Sequence, residues 1–95
     1  MHDWILWAIL VAWTKSGEGR VTMTFTTNKS NQVELTATGL VNLAVPKYEE
    51  WGPSNSVNRV FGPVQRDNGN YRVEIELQSG DTLTLEAKSI QMPEP

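Results

Sequence analysis

From Tyr71 to Lys88 the chain changes character at every residue, and it does so in two successive runs. Tyr71, Val73, Ile75 and Leu77 alternate with Arg72, Glu74, Glu76 and Gln78; Leu83, Leu85 and Ala87 then alternate with Thr82, Thr84, Glu86 and Lys88. A period of two belongs to a strand with one dry face and one wet face. With Ser79-Gly80-Asp81 as the loop, Leu77 pairs with Leu83, Ile75 with Leu85 and Val73 with Ala87, so every apolar side chain lands on one side. A two-residue loop would oppose Leu77 to Thr82 and mix the faces.

The pattern continues upstream. Asn68-Gly69 is a strong hairpin signal, because both residues accept the positive φ of a tight turn. As a two-residue loop it pairs Arg66 with Tyr71, Val64 with Val73, Gly62 with Ile75 and Val60 with Leu77. Pro63 has no N–H to give a ladder, so this strand is expected at an edge, with a bend or bulge at Gly62-Pro63.

The amino-terminal half repeats the arrangement without repeating the residues. Val21, Met23 and Phe25 alternate with threonines, and Val33, Leu35 and Ala37 alternate with Glu34, Thr36 and Thr38. A turn at Asn28-Lys29-Ser30 pairs Phe25 with Val33 and Met23 with Leu35. A turn around Ser16 to Gly19 pairs Trp13 with Val21, Val11 with Met23 and Ile9 with Phe25.

The run from Trp4 to Trp13 has two readings. As a strand it is apolar on both faces; as a helix it is apolar all round, with Asp3 as its N-cap. Register with residues 21–25 favours the strand. Either reading demands cover on every side, from a buried central position or a subunit interface. Ten apolar residues are too few for a membrane helix, and Met1-His2-Asp3 lacks the basic start of an export signal. No membrane role is expected.

Val41, Leu43 and Val45 prolong a strand beyond a bulge at Gly39, until Pro46 stops it. Residues 47–55 read as an aromatic-bearing loop or a short helical turn through Tyr48, Glu49 and Trp51. The tail 91–95, with two prolines, is expected to fray.

The expected fold is mainly β: a small curled antiparallel sheet or barrel of about six strands, built from two three-stranded meanders joined by a loop or short helix. Ninety-five residues make one domain, 1–95, with little spare stability, so dimerisation is expected. The chain has no cysteine, which removes thiolate catalysis and disulfides and fits a cytoplasmic setting. Eight Lys plus Arg against eleven Asp plus Glu give a net charge of -3, a poor basis for binding a phosphate backbone.

Little in the inventory points to catalysis. His2 is the only histidine and sits beside Asp3 alone, so neither a catalytic triad nor a metal site is expected. Glu74, Glu76 and Glu86 share a wet face with Arg72 and Lys88, where opposite charges favour ionised carboxylates over an acid/base pair. Gly17-Glu18-Gly19 and Gly62-Pro63 lack the spacing of a phosphate loop. No cofactor is implied.

Three surfaces remain. Tyr48, Glu49 and Trp51 are the candidate contact for a small ligand or an unidentified protein partner, because large aromatics in loops are frequent binding anchors. Trp4, Trp7 and Trp13 are the candidates for self-association. Arg66, Tyr71, Arg72 and Lys88 are the set that single-stranded nucleic acid would need, an aromatic platform beside cations, diluted here by Asp67, Glu74 and Glu76. The expected role is a non-enzymatic interaction or structural domain that forms a homodimer or higher homo-oligomer. A pocket under the 48–55 loop is the second reading, and a weak single-stranded nucleic-acid module the third.

Overall fold

The computed structural model describes residues 1–46 and 55–94. Among the described residues every regular element is a strand: β1 (Ile5–Trp13), β2 (Gly19–Thr26), β3 (Gln32–Ala44), β4 (Val57–Gln65), β5 (Tyr71–Leu77) and β6 (Thr82–Gln91). They form one antiparallel sheet in the order β1-β2-β3-β6-β5-β4. Each half is the expected meander, and the third strands of the two halves, β3 and β6, pair to join them. Among the described residues no helix is long and apolar enough to cross a membrane.

β1 and β4 are the two edges. The start of β1 meets the residue just before β4 through an isolated bridge between Ile5 and Ser56. Around it, Asp3 N–H donates to Val57 O at 2.8 Å, Val57 N–H to Trp4 O at 2.7 Å and Leu6 N–H to Asn55 O at 3.2 Å. The sheet thus curls until its edges touch at one end, without closing into a barrel. β1 is therefore not the buried central element that its composition allowed.

The alternating aliphatic rows line the concave side. Leu6, Val21, Met23, Phe25, Leu35, Val57, Val73, Ile75, Leu77, Leu83 and Leu85 are fully buried there, and Trp4 tilts against Phe25 with ring centroids 6.3 Å apart. Each such side chain contributes about 1.5–3 kcal/mol by leaving water. Two glycines make room for this packing. Gly19 faces the core where a Cβ would come within 2.8 Å of Leu40 Cβ. Gly39, at φ 67°, is the expected bulge of β3, but the ladder runs in register across it and the irregularity comes just after, past Leu40. The register shift between Leu40 and Asn42 sets Leu40 opposite Ala87 and Leu43 opposite Leu85, so both reach the core side.

The four hairpins among the described residues use the same three-residue loop. In each, the residue before the loop receives the third loop residue's N–H on its own carbonyl and donates to the carbonyl four residues on: Thr14 to Glu18, Thr27 to Asn31, Arg66 to Asn70 and Leu77 to Asp81. The third loop residue is Gly17, Ser30, Gly69 or Gly80, each with positive φ. This is the arrangement in which a turn is followed by one left-handed residue. The expected Phe25–Val33 and Met23–Leu35 pairs are present.

Three registers differ from the sequence expectation for the same reason. Placing Gly80 third makes the loop Gln78-Ser79-Gly80 and pairs Val73 with Leu85 and Ile75 with Leu83. Placing Gly17 third pairs Val11 with Val21 and Ile9 with Met23. Both shifts are of two residues, so the faces survive. Placing Gly69 third shifts β4 by one, pairs Val64 with Arg72 and turns Val64 outward, where it is 62% exposed. A second register shift, between Phe61 and Val64 at Gly62, sets Val60 opposite Ile75 and returns it to the core side. At the carboxyl end, Gln91 pairs with Thr36 and Met92 packs against the core, so the order extends into the expected frayed tail.

Candidate association edge

β1 carries no charged residue along its nine positions, Ile-Leu-Trp-Ala-Ile-Leu-Val-Ala-Trp. Its register shift between Leu6 and Ala8 breaks the strict alternation that the sequence suggested. Leu6 faces the core opposite Phe25; past the bulge Ile9 and Val11 face it, opposite Met23 and Val21. Ala8, Leu10 and Ala12 point outward, opposite Thr24, Thr22 and Arg20. Trp7 donates its indole N–H to Thr26 Oγ1 on the outer face, and Trp13 stands opposite Gly19 at the open end of the sheet.

Three large side chains of this strand remain in water: Trp7 is 65%, Leu10 63% and Trp13 67% exposed. Among the described residues the backbone is equally uncovered. In an antiparallel ladder alternate residues bond to the partner strand and those between turn away. Counted from the Thr14–Glu18 bond, Ala8, Leu10 and Ala12 bond toward β2, while Ile9, Val11 and Trp13 aim their N–H and C=O groups off the sheet.

The opposite edge is built differently. β4 has register shifts between Val57 and Arg59 and between Phe61 and Val64, and it contains Pro63 after a cis peptide bond. Arg59 lies over the Phe61 ring at 5.2 Å. Charge, proline and bulges are devices that keep an edge from accepting another strand. β1 has one bulge, at its start, and neither of the others.

Beside β4, Phe61, Val64, Arg66, Arg72 and Glu74 line a groove of about 470 Å³ on the outer face. Two members of the proposed nucleic-acid set, Arg66 and Arg72, meet here. The other two do not: Tyr71 is opposite Ala87 on the core side, and the Lys88 stem lies against Gly39 beside the Ser16–Gly19 turn. The guanidiniums are also matched by carboxylates. Arg72 Nη2 is 3.2 Å from Glu74, Arg66 Nε 3.6 Å from Glu86 and Arg59 Nε 3.1 Å from Glu76. An anion entering the groove must displace Glu74 or Glu86. Arg72 faces Glu86 across the strands, and Glu74 faces Thr84, so Glu74 and Glu86 do not stand opposite each other.

The Glu76 carboxyl titrates below its ordinary value, because the Asn58 amide donates to it at 2.6 Å and Arg59 adds a second hydrogen bond and its charge. His2 is exposed; its Nδ1 hydrogen-bonds the Asn58 carbonyl at 2.8 Å, and its Nε2 lies 3.4 Å from Asp3. Among the described residues no three His, Asp or Glu side chains group to hold a metal ion. Trp4, the third tryptophan proposed for association, is buried within its own core. Tyr48, Glu49 and Trp51, with the pocket expected beneath them, lie outside the described residues. The exposed Leu10 was missed as a contact residue, although it lies midway between Trp7 and Trp13. Comparison with protein-family models, with curated proteins and with solved structures found no match.

Proposed function

We propose that this chain is a small non-enzymatic interaction domain that acts by self-association, and that β1 is the surface through which it does so. One observation carries the reading: among the described residues β1 is a free, uncharged edge strand on which Trp7, Leu10 and Trp13 are each about two-thirds exposed. Exposed edges of this kind recruit another strand, and natural domains left as monomers blunt them. Contiguous apolar surface at such an edge marks a contact site. The lack of cysteine fits work in a reducing compartment such as the cytosol.

The test is mass in solution at tens of micromolar, for the chain itself and for Leu10→Lys. The unaltered chain is expected at a multiple of 10.7 kDa, and the variant at 10.7 kDa with unchanged far-ultraviolet circular dichroism. A strictly monomeric parent, or a variant that associates as tightly as the parent, overturns the reading.

A further inference from the structure

We propose that two copies form a closed dimer in which β1 pairs antiparallel with β1 of the second copy about a two-fold axis at Leu10. This rests on the self-association reading above and adds a register and a symmetry to it. Trp7-Ala8-Ile9-Leu10-Val11-Ala12-Trp13 keeps its residue classes when read backward: tryptophan, alanine, β-branched, leucine, β-branched, alanine, tryptophan. An antiparallel pair of identical strands sets each residue against its mirror position. About Leu10, Ala8 opposes Ala12 and Ile9 opposes Val11 of the other copy.

The geometry of the edge selects the same centre. At one end Leu6 N–H is taken by Asn55; at the other Thr14 enters the turn to β2. The free edge between them runs from residue 7 to residue 13, and its midpoint is Leu10. Ile9 and Val11, whose backbone groups aim off the sheet, become the hydrogen-bonded pairs of the new ladder. Leu10 then meets Leu10 as a non-hydrogen-bonded pair. Faces match as well: Ala8, Leu10 and Ala12 stay outside, and Ile9 and Val11 stay on the core side. Because of the bulge before Ala8, each end of the seam carries Trp7 of one copy on the outer face and Trp13 of the other on the core side.

Area and symmetry favour a second copy over another partner. Trp7, Leu10 and Trp13 expose about 400 Å² together, judged from aromatic areas of 150–250 Å². That is about half of the roughly 800 Å² each partner gives a standard interface, before the alanines, the strand backbone and the rest of the seam are added. β4 cannot serve as the receiving edge, because its two register shifts and Pro63 interrupt any ladder. Pairing of like with like closes at two copies, whereas β1 on β4 would propagate. The product is one continuous sheet of twice six strands.

The absence of cysteine makes the register directly readable. Non-hydrogen-bonded partners have Cα atoms about 4.5 Å apart, within the roughly 4.4–6.8 Å that a disulfide spans. Leu10→Cys is therefore expected to form a disulfide-linked dimer under mild oxidation. Ala8→Cys and Ala12→Cys, each alone, are expected to stay unlinked, and an equal mixture of the two to link. All three sites are exposed, so the variants retain the core. Cross-linking of Ala8→Cys with itself, or failure of Leu10→Cys to link in a particle still twice the chain mass, overturns the register and leaves self-association standing. A monomeric parent chain overturns both.

Discussion

Replacing Gly39 by alanine tests whether the close approach of β3 to Lys88 of β6 requires a glycine. At φ 67° any side chain adopts a strained backbone, at a cost of about 1–2 kcal/mol. A Cβ there would also lie 2.8 Å from Lys88 Cβ and Cγ and 2.7 Å from its Cδ. The far carbons of lysine can swing aside, but its Cβ is fixed by the β6 backbone. Relieving that overlap moves one strand against the other, which costs about 1–3 kcal/mol more. Gly80 is the control, because at φ 100° it meets nothing within 4 Å and bears the backbone term alone. Urea unfolding of both variants should therefore place Gly39→Ala lower than Gly80→Ala by at least about 1 kcal/mol. Lys88→Ala should rescue Gly39→Ala only in part, since it removes two of the three close carbons and keeps the fixed one. Equal losses for the two glycine variants would refute the packing argument, and full rescue by Lys88→Ala would refute the role given to the Lys88 Cβ.

Ser30→Gly should raise the thermal midpoint, with a gain of up to about 1 kcal/mol, because Ser30 is the one non-glycine at the third loop position and holds φ 65°. A lower midpoint would contradict the shared loop geometry. Phe25→Ala should cost about 3–5 kcal/mol in urea unfolding, since Phe25 is fully buried, while Phe61→Ala should stay under about 1 kcal/mol because that ring is half exposed. Glu76 has its carboxyl lowered by Asn58 and Arg59, so it contributes stability above the unfolded carboxylate value and loses it as pH falls through its folded value. Glu76→Gln should flatten that acidic limb of the stability curve, and a carboxyl NMR titration that finds Glu76 at or above its ordinary value would contradict the assignment.

The faces were legible in the sequence because a two-residue period and a one-sided core leave few alternatives for residues 21–26, 33–37, 71–77 and 82–88. Loop register was less legible. Asn68-Gly69 satisfies a two-residue turn as well as the last two places of a three-residue loop, and only the bulge at Gly62 makes the second compatible with burying Val60. Strand order was beyond reach, because nothing local in β3 or β6 states that they pair. β1 illustrates the limit at the site. Its apolar composition signalled a need for cover, but whether that cover comes from this chain or from another depends on its place at the sheet edge. The split among its tryptophans has the same origin: Trp4 lies before the bulge and folds inward, whereas Trp7 and Trp13 are left outside.

Amide hydrogen exchange along β1, read residue by residue at high and low protein concentration, tests the central claim most directly. Ala8, Leu10 and Ala12 bond to β2 and should be protected under both conditions. Among the described residues nothing partners the Ile9 and Val11 backbone, so with a second copy supplying the partners they should be protected when concentrated and exchange rapidly on dilution. Rapid exchange of these two at high concentration, with their even-numbered neighbours still protected, would show an edge left bare and contradict the account.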